Sequence, residues 1–339
     1  MTPAAISKPN RTRVILAFAA VYLLWGSTYL FIKYAIETIP PFLLGASRFF
    51  VAGVLLYVAA RWCGAPKPTR DEWRAAAITG VLMLAFGNGA VMWAEKSVPS
   101  GVVALIVSSV PIWIVVLDWL RPNGRRPRRP VLLGLVLGFA GMVILVGPRA
   151  IVGQGHIDEV ATGILLAGSV AWAVGTLVTR VGKRPGSPIV FAALQMLAAA
   201  VAMLIVAFIT REPASLSLSN VSMRSFLSWG YLVIAGSIIG YTAYVYLLGV
   251  VSATKAATYA YVNPIIAVVL GWAFANEPLS GRTLVAAAVI LASVAIITAT
   301  QTATGHTGEH PAAGKPGEPG KAGEPWESGE PRGRERPAA

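Results

Sequence analysis

The chain alternates between long apolar runs and short polar connections from residue 14 to residue 300. A helix needs about 20 residues to cross the roughly 30 Å of hydrocarbon in a bilayer, and each run is close to that length. The runs lie at 14–33, 42–62, 75–95, 100–120, 131–148, 160–179, 188–210, 226–248, 256–275 and 281–300. This pattern predicts an all-α integral membrane protein with ten transmembrane helices.

Two of the ten runs contain a proline well inside the run, Pro111 in the fourth run and Pro264 in the first half of the ninth. A proline gives no N–H to the helix, so the carbonyl four residues earlier loses its usual partner. An unpaired carbonyl is costly in lipid. We therefore predict helix breaks at both prolines, facing protein or a water-filled cavity.

The two proline-containing runs also indicate an internal repeat. A shift of 153 residues matches their prolines and a tryptophan in each. Trp25 in the first run and Trp172 in the sixth have similar neighbours. Each half contains five runs, and an odd number means that the second copy enters the membrane from the opposite face. Inverted repeats of this kind place a substrate site near the midplane, so we predict two inverted five-helix repeats, at 14–150 and 158–300.

Composition and charge support a membrane protein. Hydrophobic residues make up 55% of the chain and charged residues 13%, with a mean hydropathy of +0.66, whereas a soluble domain has about 25% charged residues. The net charge is +13, but most basic residues lie in short loops, which is typical of topology signals and not of a nucleic-acid surface. Their distribution over alternate loops predicts that both termini are cytoplasmic and that nucleic acid is not a partner.

The two ends of the chain are polar. Residues 1–13 are predicted to be a cytoplasmic segment, and residues 301–339 are too rich in proline, glycine and charge to bury a core. We expect the second segment to be a disordered cytoplasmic tail. Cys63 is the only cysteine, which excludes an internal disulfide and a thiolate metal site.

Several motifs resemble a known family. They are WGSTYLFIKYAI at 25–36, AFGNGAVMWAEKSVPSGVVALIVSSVP at 85–111 and SATKAATYAYVNPIIAVVLGWAFANEPLS at 252–280. They are similar to the EamA family of bacterial exporters, within the drug/metabolite transporter superfamily, and the resemblance extends over residues 13–300. It implies ten spans, two inverted repeats, cytoplasmic termini and a central cavity. It implies no particular substrate.

Polar and aromatic side chains inside the apolar runs are candidates for a substrate cavity. Uncharged donors and acceptors between aromatic walls suit amphipathic or zwitterionic solutes. The alternative is that the tyrosines anchor at the interface and that the polar groups join helices by hydrogen bonds. The candidates are Trp25, Ser27, Asn88, Ser108, Trp172, Gln195, Tyr241, Tyr244, Tyr259 and Asn263.

Arg48 is a further candidate because it lies inside the second run and not in a loop. An arginine at membrane depth costs at least a few kcal/mol unless it is paired or hydrated. Two interpretations stay open: a packing or snorkelling arginine, and a cavity arginine that attracts carboxylate-bearing substrates.

Two carboxylates, Glu95 and Glu277, end the third and ninth runs. Burial raises the pKa of a carboxyl group, so either residue could couple transport to protons. The favoured alternative is a solvated helix-end carboxylate that pairs with Lys96 or Arg282. No carboxylate lies at a clear midplane position, and obligatory proton coupling is therefore not predicted.

The motifs of enzymes and of ATP-driven pumps are missing from the sequence. It has no phosphate-binding loop, and two of its three histidines lie in the tail, so no cofactor or metal is expected. We predict a secondary transporter of the cell membrane that exports small metabolites or drugs by alternating access. Its candidate partners are a small-molecule substrate, membrane lipids and a coupling proton or ion. The sequence leaves open whether it is a monomer or a homodimer. The alternatives are an uptake permease and, less in keeping with the sequence, a membrane-embedded enzyme or lipid-handling protein.

Overall fold

A computed structural model describes residues 11–121, 126–146, 158–181, 186–251 and 256–305. All regular elements within these ranges are helical. Seven helices are long and apolar enough to cross a membrane, and three shorter apolar helices lie at Arg129–Gly141, Val262–Phe274 and Gly281–Ile297. The prediction of an all-helical membrane protein is confirmed. Most of the predicted N-terminal segment and residues 306–339 of the predicted tail lie outside the described residues.

The helices follow the apolar runs closely. The first half contains α1 (Arg11–Ala35), α2 (Pro41–Trp62), α3 (Arg70–Gly80), a π-helical segment π1 (Val81–Asn88), α4 (Gly89–Ala94), α5 (Ser100–Val107), α6 (Val110–Leu120) and α7 (Arg129–Val146). The second half contains α8 (Glu159–Val181), α9 (Pro188–Ile209), α10 (Glu212–Ser215), a 3₁₀ turn (Leu218–Asn220), α11 (Met223–Tyr231), π2 (Leu232–Tyr241), α12 (Thr242–Val250), α13 (Tyr259–Phe274) and α14 (Gly281–Gly305). The last helix ends at Gly305, beyond the predicted boundary at residue 300.

Local sequence signals explain where several helices begin. The hydroxyl of Thr69 accepts from the Glu72 amide at 3.2 Å, and the Glu72 carboxylate accepts from the Thr69 amide at 2.7 Å. This reciprocal capping box satisfies amides that have no partner in the first turn of α3. Pro41 and Pro188 stand in the first turns of α2 and α9, where the missing N–H costs little.

The helices of the two halves pack against one another. Helix α2 packs along α9, and α7 packs along α14. In addition, α1 contacts α13 and π2, while α8 contacts α6 and π1. Glycines allow the close approach of α7 to α14, since a Cβ at Gly134 would lie 2.6 Å from Ile297 Cγ1. The Ser293 hydroxyl on α14 also donates to the Gly134 carbonyl at 2.6 Å.

The π-helical segments were not predicted from the sequence. They end at Asn88 and Tyr241, which are 153 residues apart, the same shift that relates the two prolines. Trp25 of α1 packs on Gly240 of π2, where a Cβ would lie 2.6 Å from the indole Nε1. Trp172 of α8 packs on Gly87 of π1, where a Cβ would lie 2.9 Å from Cε3. Each π segment therefore receives a tryptophan from the other half.

The two prolines interrupt their helices differently. Helix α5 ends at Val107, and α6 begins at Val110 after a two-residue turn, so the fourth run is interrupted directly before Pro111. In the ninth run the turn lies at residues 257–258, and α13 continues through Pro264. The break predicted at Pro264 was therefore wrong in position. A proline ring displaces the carbonyl four residues earlier, so the distortion falls on the preceding turn. Both prolines are buried in protein.

Candidate functional site

A cavity lies between α1, α2, π1, the α5–α6 turn, α8 and α13. Its empty space is about 570 Å³, part of which is open to solvent. It is lined by Trp25, Thr28, Tyr29, Ile32, Arg48, Gly87, Asn88, Val91, Val107, Val110, Gly168, Ser169, Trp172, Tyr259 and Asn263. The lining combines aromatic rings, aliphatic side chains, a few polar groups and one cationic side chain.

The structure brings six of the candidate residues together in this lining. They are Trp25, Arg48, Asn88, Trp172, Tyr259 and Asn263. Three other candidates lie away from it and bond elsewhere. Ser27 is 2.7 Å from the Tyr231 hydroxyl, Ser108 donates to the Leu105 carbonyl at 2.6 Å, and Gln195 donates to Thr79 at 2.7 Å.

The remaining two candidates, Tyr241 and Tyr244, belong to an aromatic cluster with Trp25, Trp172 and Tyr259. Trp25 is its centre, with ring-centroid distances of 5.1 Å to Tyr244, 5.2 Å to Tyr259 and 5.7 Å to Trp172. The Trp25 indole N–H also donates to the Gly236 carbonyl at 3.1 Å. Tyr241 and Tyr244 are buried behind the cavity wall, and they hold the tryptophans in place by ring packing.

Arg48 brings a positive charge to the cavity wall. Its side chain is 3% exposed, and Nε donates to the Ser237 hydroxyl at 2.8 Å. Its Nη1 atom has no hydrogen-bond partner among the described residues. The ion pairs among the described residues are Arg121 with Asp118 and Arg224 with Glu37, and both lie away from the cavity. Within the described residues, the Arg48 charge therefore has no counter-charge from the protein.

Asn263 also lines the cavity. Its hydrogen-bond network orients the amide nitrogen toward the carbonyls of Tyr22 and Tyr259, at 3.1 and 3.3 Å. The side chain thereby satisfies a carbonyl in the first turn of α13, close to the turn at residues 257–258. Tyr29 is a lining residue that was not among the candidates, although its position four residues after Trp25 puts it on the same helix face.

The two candidate coupling carboxylates have different surroundings. The Glu277 carboxylate accepts from the Ser100 amide at 2.7 Å, the Ser100 hydroxyl at 2.9 Å and the Gly101 amide at 3.2 Å. It therefore caps the N-terminus of α5. The expected pairing of Glu277 with Arg282 was wrong, because these donors occupy both of its oxygens.

Glu95 is buried with an exposed fraction of 0%. Neither carboxylate oxygen has a hydrogen-bond partner in the ranges that the structure describes. The Lys33 ammonium donates to the backbone carbonyl of Glu95 at 2.9 Å. The favoured interpretation of Glu95 as a solvated partner of Lys96 was wrong. Sequence position gives the depth of a residue along a helix, whereas burial depends on which neighbours cover that face.

A polar contact joins two connections near this end of the bundle. Asp158, which precedes α8, accepts from the Ala161 amide at 3.0 Å and from the Ser97 hydroxyl at 2.8 Å. These donors stabilise the ionised form and lower the pKa of Asp158. The contact fixes the start of α8 against the connection that follows Glu95.

The described residues contain no group of three or more histidine, cysteine or acidic side chains that could hold a metal ion. The arrangement can instead bind an organic solute, with ring faces for its apolar part and Arg48 for a negative group. Thr28 offers less, because its hydroxyl donates to the Trp25 carbonyl at 2.7 Å.

Relatives of the chain are named as membrane transporters. The chain is 37% identical over 287 residues to the uncharacterized inner membrane transporter YedA of Escherichia coli, which covers 83% of this chain and 89% of the relative. It is 27% identical to the uncharacterized transporter YvbV of Bacillus subtilis, over 85% and 92% of the two chains. A chloroplastic WAT1-related protein of Arabidopsis thaliana is 25% identical, over 81% of this chain and 67% of that protein.

The fold also matches a solved structure. One crystal structure superposes with a TM-score of 0.63 at 22% identity, over 87% of this chain and 99% of that chain. At this identity the match concerns the fold alone. The sequence pattern of the EamA-like transporter family matches residues 12–147 and again residues 161–299. The chain therefore belongs to the EamA-like transporter family.

Proposed function

We propose that this protein is a secondary transporter of the inner membrane that exports small solutes with a carboxylate group, such as amino-acid-like metabolites. The proposal includes ten spans in two inverted five-helix repeats and cytoplasmic termini. Support comes from the double family match, from a relative named as an inner membrane transporter and from the shift that relates the two halves. Export is favoured over uptake by the resemblance to bacterial exporters.

The uncompensated charge of Arg48 is the observation that carries this substrate class. A buried cation without a counter-ion is unfavourable unless water or a ligand stabilises it. Arg48 lines the cavity, so a carboxylate bound there would lie beside a guanidinium whose buried Nη1 atom has no partner among the described residues. Arginine presents a planar fork of donors that matches a carboxylate. The bound solute would supply the missing counter-charge.

The rest of the cavity fits the apolar part of such a solute. Trp25, Trp172 and Tyr259 form the aromatic wall. Alternating access would use the two interrupted helices, because Val107 and Val110 flank one turn and Tyr259 follows the other, and all three residues line the cavity.

Arg48→Gln tests the proposal in proteoliposomes with a panel of radiolabelled amino acids. The variant loses a charge-assisted hydrogen bond of roughly 1.5–3 kcal/mol, so we expect transport at low substrate concentration to fall at least about tenfold. Arg121→Gln is the matched control, because Arg121 pairs with Asp118 at the surface. Full transport of the whole panel by Arg48→Gln would contradict the proposed role of the guanidinium.

A further inference from the structure

Glu95 is a buried acid that the proposed binding site does not use. Its carboxylate is sealed from solvent, and neither oxygen has a partner among the described residues. An ionised carboxylate in such a place would lose its hydration and gain no hydrogen bond in return. Glu95 is therefore a neutral carboxylic acid in this conformation, which means that it holds a proton.

A continuous strip of side chains joins this acid to the cavity. Asn88, Val91 and Glu95 follow one another at spacings of three and four residues, which places them on one helix face. Asn88 and Val91 line the cavity. On α1, Tyr29 lines the cavity and Lys33 lies one turn further, where its ammonium reaches the Glu95 backbone. Glu95 thus lies one helical turn beyond the cavity wall.

The charged and titratable groups that face Glu95 come from two neighbouring segments, besides the adjacent Lys96. Lys33 and Tyr29 face it from α1, and Glu277 faces it from the connection after α13. The negative charge of Glu277 is held in place by its three donors at the start of α5. That charge opposes ionisation of Glu95, while the Lys33 ammonium favours it. Burial has a larger influence than either charge, and it favours the neutral form of Glu95 in this conformation.

The fold itself does not require an acid at this position. The 153-residue shift places Leu248 at the equivalent point of the second half, where it packs partly buried against the hydrophobic core. A hydrocarbon side chain therefore serves the same structural role. The carboxyl group of Glu95 calls for a chemical explanation.

We propose that Glu95 carries the proton that drives transport, an inference that rests on the proposed transport function. When water reaches Glu95, its carboxylate takes a proton from that water and becomes a neutral acid that can be buried. When the bundle opens to the other side, the O–H bond breaks, the proton returns to the water there, and the carboxylate pairs with the Lys33 ammonium. One proton crosses in each cycle while the substrate moves in the opposite direction.

The first test does not depend on the substrate. Infrared spectra of the purified full-length protein in liposomes at neutral pH should show the C=O band of a protonated carboxylic acid. Glu95→Gln should remove this band. Glu37→Gln should keep it, because Glu37 pairs with Arg224 at the surface. A band that persists unchanged in Glu95→Gln would overturn the proposal.

The second test measures coupling with the same panel of radiolabelled amino acids. Glu95→Gln imitates the protonated form, so we expect exchange at equal pH to continue and accumulation driven by a pH gradient to fall to its level without a gradient. Lys33→Gln should keep the infrared band but lose gradient-driven accumulation, because the ionised form has lost its partner.

Two results would separate the coupling role from the transport function. The coupling role alone would be overturned if transport by the wild-type protein did not change with the pH gradient. It would also be overturned if Glu95→Gln still accumulated amino acids in response to the gradient. If the wild-type protein exchanged none of the amino acids, the proposed substrate class would be wrong. The infrared band would then decide whether Glu95 holds a proton.

Discussion

The two halves of the chain that match the same family pattern repeat their backbone packing but not their charge. Trp172 lies 147 residues after Trp25, and Gln195 lies 147 residues after Arg48. Both members of the second pair extend toward the other half. Arg48 donates to Ser237 in π2, and Gln195 donates to Thr79, which lies two residues before π1.

The equivalent side chains nevertheless meet different surroundings. Arg48 lines the cavity, whereas Gln195 is buried against the backbone of α3, where a Cβ on Gly80 would lie 2.3 Å from the Gln195 carbonyl oxygen. The comparison teaches that packing alone does not define the site. Arg48 and Gln195 occupy equivalent positions of the two halves, and this one difference means that only the first half brings a positive charge to the cavity from this position.

The helix interruptions show the same combination of likeness and difference. In the fourth run the Ser108 hydroxyl donates to the Leu105 carbonyl, and in the ninth run Asn263 donates to the Tyr259 carbonyl. Each side chain donates to a carbonyl that lies near a proline or a turn. Ser108 does so inside packed protein and Asn263 at the cavity wall.

The largest effect is expected from adding a methyl group where each tryptophan meets its π segment. Gly240→Ala should reduce the free energy of unfolding by about 2–3 kcal/mol, within the usual cost of overpacking, because Trp25 cannot move aside without losing its bond to the Gly236 carbonyl. Gly87→Ala should cost less, because its nearest contact is a ring edge of Trp172 at 2.9 Å. Thermal unfolding of the purified protein in detergent compares the two variants.

Gly249→Ala is the matched control for both, because a Cβ there meets nothing within 4 Å. It should leave stability unchanged or raise it slightly, since alanine favours a helix over glycine. Equal losses in the Gly87 and Gly240 variants would show that the hydrogen bond of Trp25 does not fix its position.

A smaller effect is expected where a side chain satisfies a carbonyl. Ser108→Ala should cost about 1–2 kcal/mol, because the Leu105 carbonyl would lose this donor in surroundings without water. Asn263→Ala should cost less stability, because cavity water can reach the carbonyls that it leaves. Chemical unfolding in mixed micelles measures both variants, and a greater loss in Asn263→Ala would mean that the cavity wall is dry at this point.

Much of the fold follows from the sequence because the physical signals are local and strong. The apolar runs predicted the helices within a few residues, and Pro111 predicted the turn before α6. The π segments gave no such signal, and each contains a glycine, Gly87 or Gly240, that packs against a tryptophan from the distant half. The displaced turn before α13 likewise depends on how the chain around Pro264 is packed.

The candidate site was predictable only in part for the same reason. Trp25, Arg48 and Asn263 line the cavity, because a polar or aromatic side chain inside a span tends to face protein or water and not lipid. Ser108 and Gln195 are also polar residues inside a span, yet each forms a hydrogen bond with another protein group and lies away from the cavity. Composition identifies which side chains can line a cavity, and helix rotation in the packed bundle decides which of them do.

The smallest effect is expected at Gln195, the counterpart of Arg48. Gln195→Met removes one hydrogen bond to Thr79, whose hydroxyl still donates to the Ala75 carbonyl at 2.7 Å. It also removes an amide oxygen that is buried and has no partner in the described part of the chain. A neutral hydrogen bond contributes about 1 kcal/mol, and removal of the unpaired oxygen offsets most of it. Thermal unfolding should therefore change little and amino-acid transport should persist, whereas Arg48→Met should abolish transport. Loss of transport in Gln195→Met as well would show that the two halves share the binding function despite their different charges.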